Sequence, residues 1–438
     1  MIYLLTLHGA ATILTLPAIG TAFRLYRRTG KLDTDRGSSD PNGWETPPPR
    51  GTNQAGMRAY NERLTLSLVR AHGSLAKAEL ARMTGLSAQT VSVIMRALER
   101  EELLVRGEPI RGRIGQPSVP LSINPEGAFF LGLKVGRRSA DLVLADFLGR
   151  PRSRLHTSYP WPLPAQIVRF AHEGIADLVS GLDAGLRERI AGLGIAMPFE
   201  LWNWSEYLDV PDGELDVWRQ VDLKEEIGRI SPYPVYLQND ATAACAAELV
   251  FGDHPGRPDF VYFYVGTFIG GGVVLNGGLY PGRTGKAGGF GPMPVTGQGG
   301  RRELLIDHAS ITVLERMVKA AGGDPSILWD PSEDWSGIED LAQAWVGVVA
   351  RGLAQAIVAS VSVIDFEAVV IDGSLPARFR EAIVEATRRE LENFDLRGLT
   401  TPAIAAGTIG PLARALGAAS LPLFDKFLID QRMPTRER

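Results

Sequence analysis

Residues 75–100 read LAKAELARMTGLSAQTVSVIMRALER, and their pattern determines how the first part of the chain folds. Two amphipathic runs flank Gly85, a residue that can adopt the backbone conformation of a sharp turn. Ser87 is placed to cap the second run by accepting a backbone N–H. The apolar face of that run repeats at helical spacing through Val91, Ile94, Met95 and Leu98. The stretch therefore predicts a helix-turn-helix.

The outward face of the second helix carries short polar and cationic side chains, which can reach base edges and phosphates in a major groove. The residues predicted to contact DNA from the two helices are Lys77, Ser87, Gln89, Thr90, Ser92 and Arg96. A structural helical hairpin would show the same apolar spacing. After the helices, however, the sequence predicts a wing, made of a strand at 103–105, a basic glycine-rich loop and a second strand that ends near Leu121. From the wing we expect DNA contacts by Arg111, Arg113 and Gln116.

The charge of this region differs from that of the rest of the chain. Between Arg58 and Arg113, ten Lys or Arg stand against six Asp or Glu, a formal charge of +4, whereas the whole chain carries −4. The remainder therefore sums to −8. A basic helical module on an acidic body is what phosphate binding combined with a separate regulatory domain requires.

Composition indicates ordinary globular material with room for two or three domains, since 45% of the 438 residues are hydrophobic and 22% are charged. The single cysteine, Cys245, excludes an internal disulfide and a zinc site built on several cysteines. This fits a reducing compartment, and we expect a cytoplasmic protein.

Residues 1–23 are apolar and uncharged and are followed by basic residues, and residues 31–51 have the composition of a disordered linker. Three interpretations of residues 1–50 compete: a membrane tether, a targeting segment, and a translation start placed too far upstream. We favour the last, because Gly9, Pro17 and Gly20 interrupt the apolar run and a DNA-binding regulator gains nothing obvious from a tether.

Beyond the wing, strand and helix patterns alternate, as is typical of an α/β protein. Residues 128–144 predict a strand, a tight turn at Gly136 and a returning strand. Residues 266–272, GTFIGGG, are predicted to join two apolar strands; their glycines permit close approach to a phosphate or sugar, or form a plain hairpin turn. Further predicted elements are strands at 190–198, 235–237 and 368–371 and helices at 241–250, 338–361, 377–392 and 408–419.

A winged helix followed by two α/β lobes with these glycine loops resembles the ROK family (repressor, open reading frame, kinase). This family groups sugar-responsive repressors with sugar kinases on a two-lobed actin-like ATPase fold. The likeness covers about residues 51–425. It implies a DNA-binding domain at 51–122, an N-terminal lobe at 123–240 with a returning helix at about 408–430, and a C-terminal lobe at 241–407.

The resemblance also implies functional positions. Asn239 and Asp240 match the family's sugar-contacting asparagine and catalytic-base aspartate, residues 266–272 match its second phosphate loop, and residues 287–292 match a sugar-binding loop. The implied ligand contacts are Asn239, Asp240, Gly266, Thr267, Gly288 and Gly289.

Departures from the family pattern argue against an enzyme. The kinases hold Mg²⁺ and the phosphates with an aspartate and Gly-Gly-Thr, where this chain has Lys134, Arg137 and Arg138, and Phe268 replaces a glycine of the second loop. We therefore expect that the protein does not bind ATP, needs no cofactor and does not transfer a phosphoryl group. Residues 297–310 lack the family's zinc-binding cysteines and Pro292 replaces a histidine ligand, so we expect no metal and a solvated or packed His308.

The sugar pocket is also altered, because Gly289 and Pro292 replace a glutamate and a histidine that bind sugar hydroxyls. Asp240 remains, either as an acceptor for a hydroxyl or as the N-cap of the following helix. The aromatic stretch 199–204, FELWNW, could form a stacking wall for a sugar or belong to the core or an interface, and the core is our preferred interpretation.

These observations together predict a cytoplasmic transcriptional repressor. We expect it to bind double-stranded operator DNA as a homodimer or homotetramer and to sense a small carbohydrate or a derivative, with no role for a membrane. Two alternatives stay open: a DNA-binding protein whose body is a scaffold without ligand, and an active sugar kinase with a DNA-binding appendage.

Overall fold

The structure, a computed structural model, describes residues 54–109, 119–204, 210–253, 257–329 and 333–429. The expectations for residues 1–50 and for the wing residues Arg111, Arg113 and Gln116 fall outside these ranges. The first part of the described chain, which we call the head, contains α1 (Gln54–His72), β1 (Ser74–Leu75), α2 (Lys77–Thr84), α3 (Ala88–Arg100), β2 (Leu104–Arg106) and β3 (Leu121–Ile123).

The head is a winged helix-turn-helix. Gly85 ends α2 in the left-handed region, with φ of 67°, and the Ser87 side chain accepts the Thr90 N–H to begin α3. Strands β1, β3 and β2 form an antiparallel sheet in that order. The second strand of the wing begins at Leu121, so our prediction that it ends near this residue was wrong. Leu121 and Ile123 alternate inward in the sheet and bury their side chains, which places the strand further along the chain.

The body of the protein repeats one sheet topology twice. The first sheet has the order β6-β5-β4-β7-β8 and the second the order β11-β10-β9-β14-β15. In each sheet three antiparallel strands are followed by two that run parallel to the first. The strands of the first sheet are β4 (Phe129–Val135), β5 (Ser139–Asp146), β6 (Pro151–Ser158), β7 (Ile190–Met197) and β8 (Val235–Asn239). Those of the second are β9 (Phe260–Val265), β10 (Ile269–Leu275), β11 (Gly278–Tyr280), β14 (Ala368–Gly373) and β15 (Ala403–Ala406).

Helices and a small hairpin complete the two lobes. The helices are α4 (Pro164–Ser180), α5 (Ala184–Arg187), α6 (Leu223–Ile230), α7 (Asp240–Phe251), α8 (Ile311–Ala320), α9 (Glu339–Val361), α10 (Ala377–Leu391) and α11 (Ala413–Phe427), and the hairpin is β12 (Pro294–Thr296) with β13 (Arg302–Leu304). Together with the repeated sheets they form the two-lobed α/β fold expected from the sequence. The lobe boundaries at 240 and 407 stay predictions.

Two predictions about local structure were wrong. Gly270, Gly271 and Gly272 do not lie in a connecting loop but pair with Tyr264, Phe263 and Tyr262 within β10. Their lack of side chains serves packing instead, because a Cβ on Gly271 would lie 1.9 Å from the Tyr262 carbonyl oxygen. The turn is therefore short and spans residues 266–268.

The last helix also begins later than residue 408. Gly410, with φ of 72°, and Pro411 precede it, so regular helix starts at Ala413. The helix packs closely on its neighbours, as its glycine and alanine content predicts: a Cβ on Gly417 would lie 1.8 Å from the Ala243 carbonyl oxygen of α7. On its other side, Gly194 of β7 would place a Cβ 1.7 Å from the Ala418 carbonyl oxygen. Only glycines fit these contacts.

Helix α9 carries the central apolar stripe of the second lobe. Within the described ranges, the stretch Ser336–Val361 is the one long and apolar enough to cross a membrane by composition, with a mean hydropathy of 1.5. Within its most apolar 18-residue window, however, 56% of the residues are buried inside the protein, and Trp345 and Val349 are fully covered. This is the packing of a core helix in a globular body.

Candidate DNA-binding face and ligand cleft

Helix α3 presents two distinct faces. Val91, Ile94, Met95 and Leu98 are buried against the head's core, as predicted. On the opposite face Gln89, Thr90 and Arg96 are exposed, Ser92 is partly exposed, and Lys77 is exposed at the start of α2. The predicted residues of α3 thus share one solvent-facing surface, which we call the recognition face, while Lys77 is exposed on the neighbouring helix α2.

Local hydrogen bonds fix part of the recognition face. The Ser87 hydroxyl lies 2.9 Å from the Thr90 hydroxyl and caps the helix, and the Arg96 Nε donates to the Ser92 carbonyl. Val93, which the sequence reading missed, is 49% exposed at the middle of the same face. An aliphatic side chain there suits the thymine methyl group in a major groove. Its position three residues after Thr90 was the available signal.

The head is joined to the body by a continuous apolar core rather than by a bare linker. Leu66 and Val69 of α1 belong to one buried cluster with Phe130, Phe147 and Leu428 of the body. The rings of Phe147 and Phe427 lie 4.9 Å apart in an edge-on arrangement. The orientation of the recognition face therefore depends on the body's own packing.

Polar contacts reinforce this junction. The Arg70 guanidinium lies 5.4 Å from the centroid of the Phe147 ring and donates to the Phe147 carbonyl, and the Ser67 hydroxyl accepts the Ile429 N–H at 3.1 Å. Burial lowers the pKa of Arg70 to about 10, and the nearby Asp146 carboxylate opposes that shift. The contact with the Phe147 ring and the hydrogen bond to the Phe147 carbonyl offset part of the cost of burying this cation at the junction.

The six predicted ligand residues lie on three segments that meet near the start of β10. Asn239 ends β8 and Asp240 begins α7, Gly266 and Thr267 form the β9–β10 turn, and Gly288 and Gly289 lie in the following loop. A Cβ on Gly270 would lie 2.8 Å from that of Ala241, and one on Gly288 would lie 2.6 Å from the Gly271 backbone. Close packing between these segments therefore accounts for Gly288 without a ligand.

Asn239 is the residue that caps α7, in place of Asp240. Its side-chain oxygen accepts the N–H groups of Ala241 and Thr242 at 3.1 and 3.3 Å. The Asp240 carboxylate instead pairs with the Arg414 Nη1 at 3.3 Å, and both side chains are nearly buried. The N-cap alternative for Asp240 was thus wrong, because the residue before it has the extended backbone and short amide that a cap needs.

The turn between β4 and β5, which corresponds to the family's first phosphate loop, is covered by the side chain of Lys134. Lys134 lies over Gly136 so closely that a Cβ there would be 2.8 Å from the Lys134 Nζ. This Nζ also donates to the Ser139 hydroxyl at 2.7 Å and pairs with Asp141 at 3.2 Å. The Gly136 N–H donates to the Ser139 carbonyl, and the Gly136 carbonyl accepts the Tyr159 hydroxyl. The loop's backbone therefore closes on itself.

The second loop is closed in the same way. The Gly266 and Thr267 carbonyls accept N–H groups from Ile311 and Thr312 at the start of α8. Phe268 is buried, and the Arg137 guanidinium lies 4.3 Å from its ring centroid. Arginine and phenylalanine thus occupy space between the loops, as their bulk predicted.

A cavity of about 220 Å³ lies between the lobes beside these loops. Of the six predicted ligand residues, Thr267 is the one that lines it. The cavity's charged lining consists of the basic residues Lys134, Arg137, Arg138, Arg154, Arg380 and Arg414 and the acidic residues Asp141, Glu315 and Glu333, with His156 beside them. Arg154, Arg380 and Arg414 were missed at the sequence level; a lone arginine in the alanine-rich α11 was the available signal.

Electrostatics in the cleft follow from burial and mutual repulsion. Burial, with a contribution from Arg414, lowers the pKa of Lys134 to about 8, although Asp141 opposes the shift. Burial also lowers the pKa of Arg137 to about 10. Burial alone would raise the pKa of Asp141, but Lys134, His156 and Arg154 together hold it well below its usual range. Several cations therefore lie close together at a site where Lys134 and Arg137 are largely desolvated.

Two further expectations concern residues outside the cleft. His308 is packed rather than solvated, since it is nearly buried and its Nε2 lies 2.7 Å from the Glu303 carboxylate. Trp202 packs partly buried against the core, and the Arg219 guanidinium lies 5.2 Å from its ring centroid. This packing favours the core assignment for Trp202, which stays a prediction.

The comparisons with known proteins agree with this architecture. Residues 130–423 match the ROK family, and residues 58–105 match a winged helix-turn-helix DNA-binding family. An uncharacterized protein from Sinorhizobium fredii is 24% identical over 380 residues, which cover 84% of this chain and 92% of that protein. The xylose repressor of Bacillus subtilis is 26% identical over 246 residues, 55% of this chain and 62% of the repressor.

Two solved structures share the fold. A ROK family transcriptional regulator described as a homolog of the E. coli MLC protein superposes with a TM-score of 0.59 and 19% identity, covering 86% of this chain and 98% of its own. A ROK family glucokinase from Streptomyces griseus, in complex with glucose and AMPPNP, superposes with a TM-score of 0.52 and 22% identity over 67% of this chain and 99% of its own. From the family match over more than half of its length, the chain belongs to the ROK family, with a winged helix-turn-helix of the DNA-binding class at its N-terminal side.

Proposed function

We propose that this protein is a cytoplasmic transcriptional repressor that binds operator DNA through the recognition face and responds to a carbohydrate or a derivative bound by its body. The observation that carries the proposal is the junction between the two parts. Because α1 shares a buried core with α11, a change in how the lobes pack reaches the head directly. A ligand that binds the two arrangements unequally would shift the DNA-competent population.

Dimerisation is part of the proposal. One recognition helix reads too few base pairs for a specific site, and two-fold symmetry supplies a second half-site about one helical turn away. A homodimer is therefore the minimal assembly, and a homotetramer would double it.

Carbohydrate sensing rests on Asn239 and Asp240, which are adjacent at the junction of β8 and α7 and match the sugar-contacting positions implied by the family resemblance. The Bacillus subtilis relative is named a xylose repressor, so D-xylose is the first sugar to test. The Asn239 oxygen is used by the helix cap, which leaves its Nδ2 group as a donor for a hydroxyl. Asp240 would accept a hydroxyl beside its pairing with Arg414.

Phosphoryl transfer is not part of the proposal, since Lys134 covers Gly136 where a transferable phosphate would approach, and it supplies no ligand for Mg²⁺. The alternative kinase function predicts ATP consumption with a sugar. The other alternative, a scaffold without ligand, predicts DNA binding that no sugar changes.

The test measures binding of the full-length protein to DNA from upstream of its own gene by fluorescence anisotropy, with and without D-xylose, D-glucose and other neutral sugars. We expect specific binding that one sugar class weakens by about 5–150-fold, the range of common allosteric couplings. Specific DNA binding that no sugar changes would favour the alternative of a scaffold without ligand. Sugar-dependent ATP consumption would refute the proposal that the protein is a repressor without catalytic activity.

A further inference from the structure

We propose that helix α1 is a second DNA-contacting element, whose residues Arg58 and Asn61 bind the sugar–phosphate backbone beside the base edges that α3 contacts. This inference rests on the proposed operator binding and adds contacts from a helix outside the helix-turn-helix. The observation that carries it is a groove between α1 and the first two turns of α3.

This groove, which we call the head groove, has a volume of about 470 Å³ and is continuous with the recognition face. It is lined from α3 by three residues of that face, Gln89, Thr90 and Val93, and from α1 by Met57, Arg58 and Asn61. When a recognition helix contacts base edges, the phosphates and sugars of the strands that border the major groove lie beside it. A DNA strand at the recognition face would therefore pass along the head groove.

The apolar part of the head groove fits the carbon face of deoxyribose. Met57 and Val93 both line the groove and are 53% and 49% exposed. Large apolar side chains that lie exposed beside each other usually mark a contact with another molecule. Because the recognition face continues into the groove, that molecule is DNA, and its sugars would cover these two side chains.

The polar part of the head groove fits phosphate. Of the described residues that line it, Arg58 is the one with a charged side chain, and this side chain is 57% exposed. Its Nε donates to the Glu62 carboxylate at 2.8 Å, so a phosphate would be bound through the two Nη groups. Asn61 lies three residues further along the same side of α1, and its side-chain amide can donate to a phosphate oxygen.

Helix α1 would then connect the DNA to the body directly. Its first half lines the head groove, whereas Leu66 and Val69 in its second half are buried in the cluster shared with Phe147 of the body. Its 19 residues form one helix that is about 28 Å long. A displacement of the body at the junction would therefore reach the phosphate contacts through a single helix, without passing through α3.

The experiment measures how salt changes the affinity of the full-length protein for DNA from upstream of its own gene and for unrelated DNA of the same length, by fluorescence anisotropy. Arg58→Met removes one cationic phosphate contact, so the slope of log affinity against log salt concentration should become shallower by about one on both DNAs. Between about 50 and 200 mM salt, the affinity of this variant should therefore fall about fourfold less than that of the unchanged protein.

A second substitution tests the other contact. Asn61→Ala removes a neutral donor, so it should weaken binding to both DNAs by about tenfold and leave the salt slope unchanged. Both positions lie outside the buried clusters, so both variants should unfold at the same temperature as the unchanged protein. The matched control Arg229→Met removes an exposed arginine of α6 that, like Arg58, pairs with a glutamate four residues away, and it should bind DNA as the unchanged protein does.

The proposal is overturned if Arg58→Met leaves the salt slope unchanged or if Asn61→Ala leaves both affinities unchanged. It is also overturned if sedimentation velocity shows that either variant has lost its oligomeric state, because the head groove would then be an interface between copies of the chain. Gln89→Ala, measured on the same DNAs, reports operator binding by α3 separately. Weaker operator binding by Gln89→Ala, with no effect of the two α1 variants, would therefore reject the contact by α1 and leave the proposed function standing.

Discussion

Replacing Arg414 by methionine should leave the Asp240 carboxylate buried without its cationic partner. The two side chains are 8% and 10% exposed, and their atoms lie 3.3 Å apart. The substitution also removes a hydrogen bond of 2.8 Å to the Ser374 hydroxyl and the contact of the guanidinium with the Tyr264 ring. Breaking a buried pair by removing one partner costs about 3–5 kcal/mol of unfolding free energy.

A double-mutant cycle with Asp240→Asn isolates the pair itself. The single Asp240→Asn change removes a hydrogen bond between charged groups, worth about 1.5–3 kcal/mol. In the Arg414→Met background, Asp240→Asn breaks no ion pair. It also replaces the buried, unpaired carboxylate by a neutral amide. We therefore expect the double variant to be at least as stable as Arg414→Met alone, with a coupling energy of about 2 kcal/mol.

The assay is urea unfolding followed by tryptophan fluorescence, with unfolding checked for reversibility. The exposed pair of Glu225 and Arg229, whose atoms lie 2.6 Å apart, is the control and should show no measurable coupling. The effects of mutations at independent sites add to within about 0.5 kcal/mol. Additive effects of Asp240→Asn and Arg414→Met would therefore refute the reasoning.

Two further predictions concern the packing of α11 and the recognition face. Gly417→Ala should lower the unfolding free energy by about 1–3 kcal/mol, because its Cβ would clash with the Ala243 carbonyl. The control Gly228→Ala, at an exposed position of α6 with open space around its Cβ, should raise the unfolding free energy by about 0.4–1 kcal/mol. Equal effects of the two substitutions in urea unfolding would contradict the close packing of α11. In fluorescence anisotropy, Gln89→Ala should weaken operator binding by about 1–3 kcal/mol and leave the affinity for non-specific DNA unchanged. Arg96→Ala should weaken binding to both DNAs and reduce the slope of log affinity against log salt concentration by about one. Unchanged affinities in both variants would show that α3 does not enter the groove.

Local patterns were enough to predict much of the fold. The helix-turn-helix follows from apolar spacing around Gly85, and the paired strands of the body follow from their apolar runs. Glycine was harder to interpret. Residues 270–272 have the composition of a loop, yet they belong to β10 and pair with β9. Neighbouring segments lie so close to both faces of this strand that larger residues would not fit.

The site was less predictable because its contacts join distant parts of the chain. Asp240 and Arg414 are 174 residues apart, and no local pattern couples them. The effect of Lys134 could be foreseen only in part: its inability to bind a metal follows from its chemistry, but its position over Gly136 depends on Ser139 and Asp141. Sequence spacing identifies candidate groups, and tertiary packing decides what they contact.

The place of α11 in the chain has a consequence for synthesis. The ribosome makes this helix after both sheets, yet it packs against β7 and completes the buried cluster that holds α1. The head is thus translated first, but its seat on the body is finished only when residues 413–429 have emerged. Nascent or prematurely terminated chains would carry a recognition helix without the support that orients it, so they should compete poorly with complete protein for DNA.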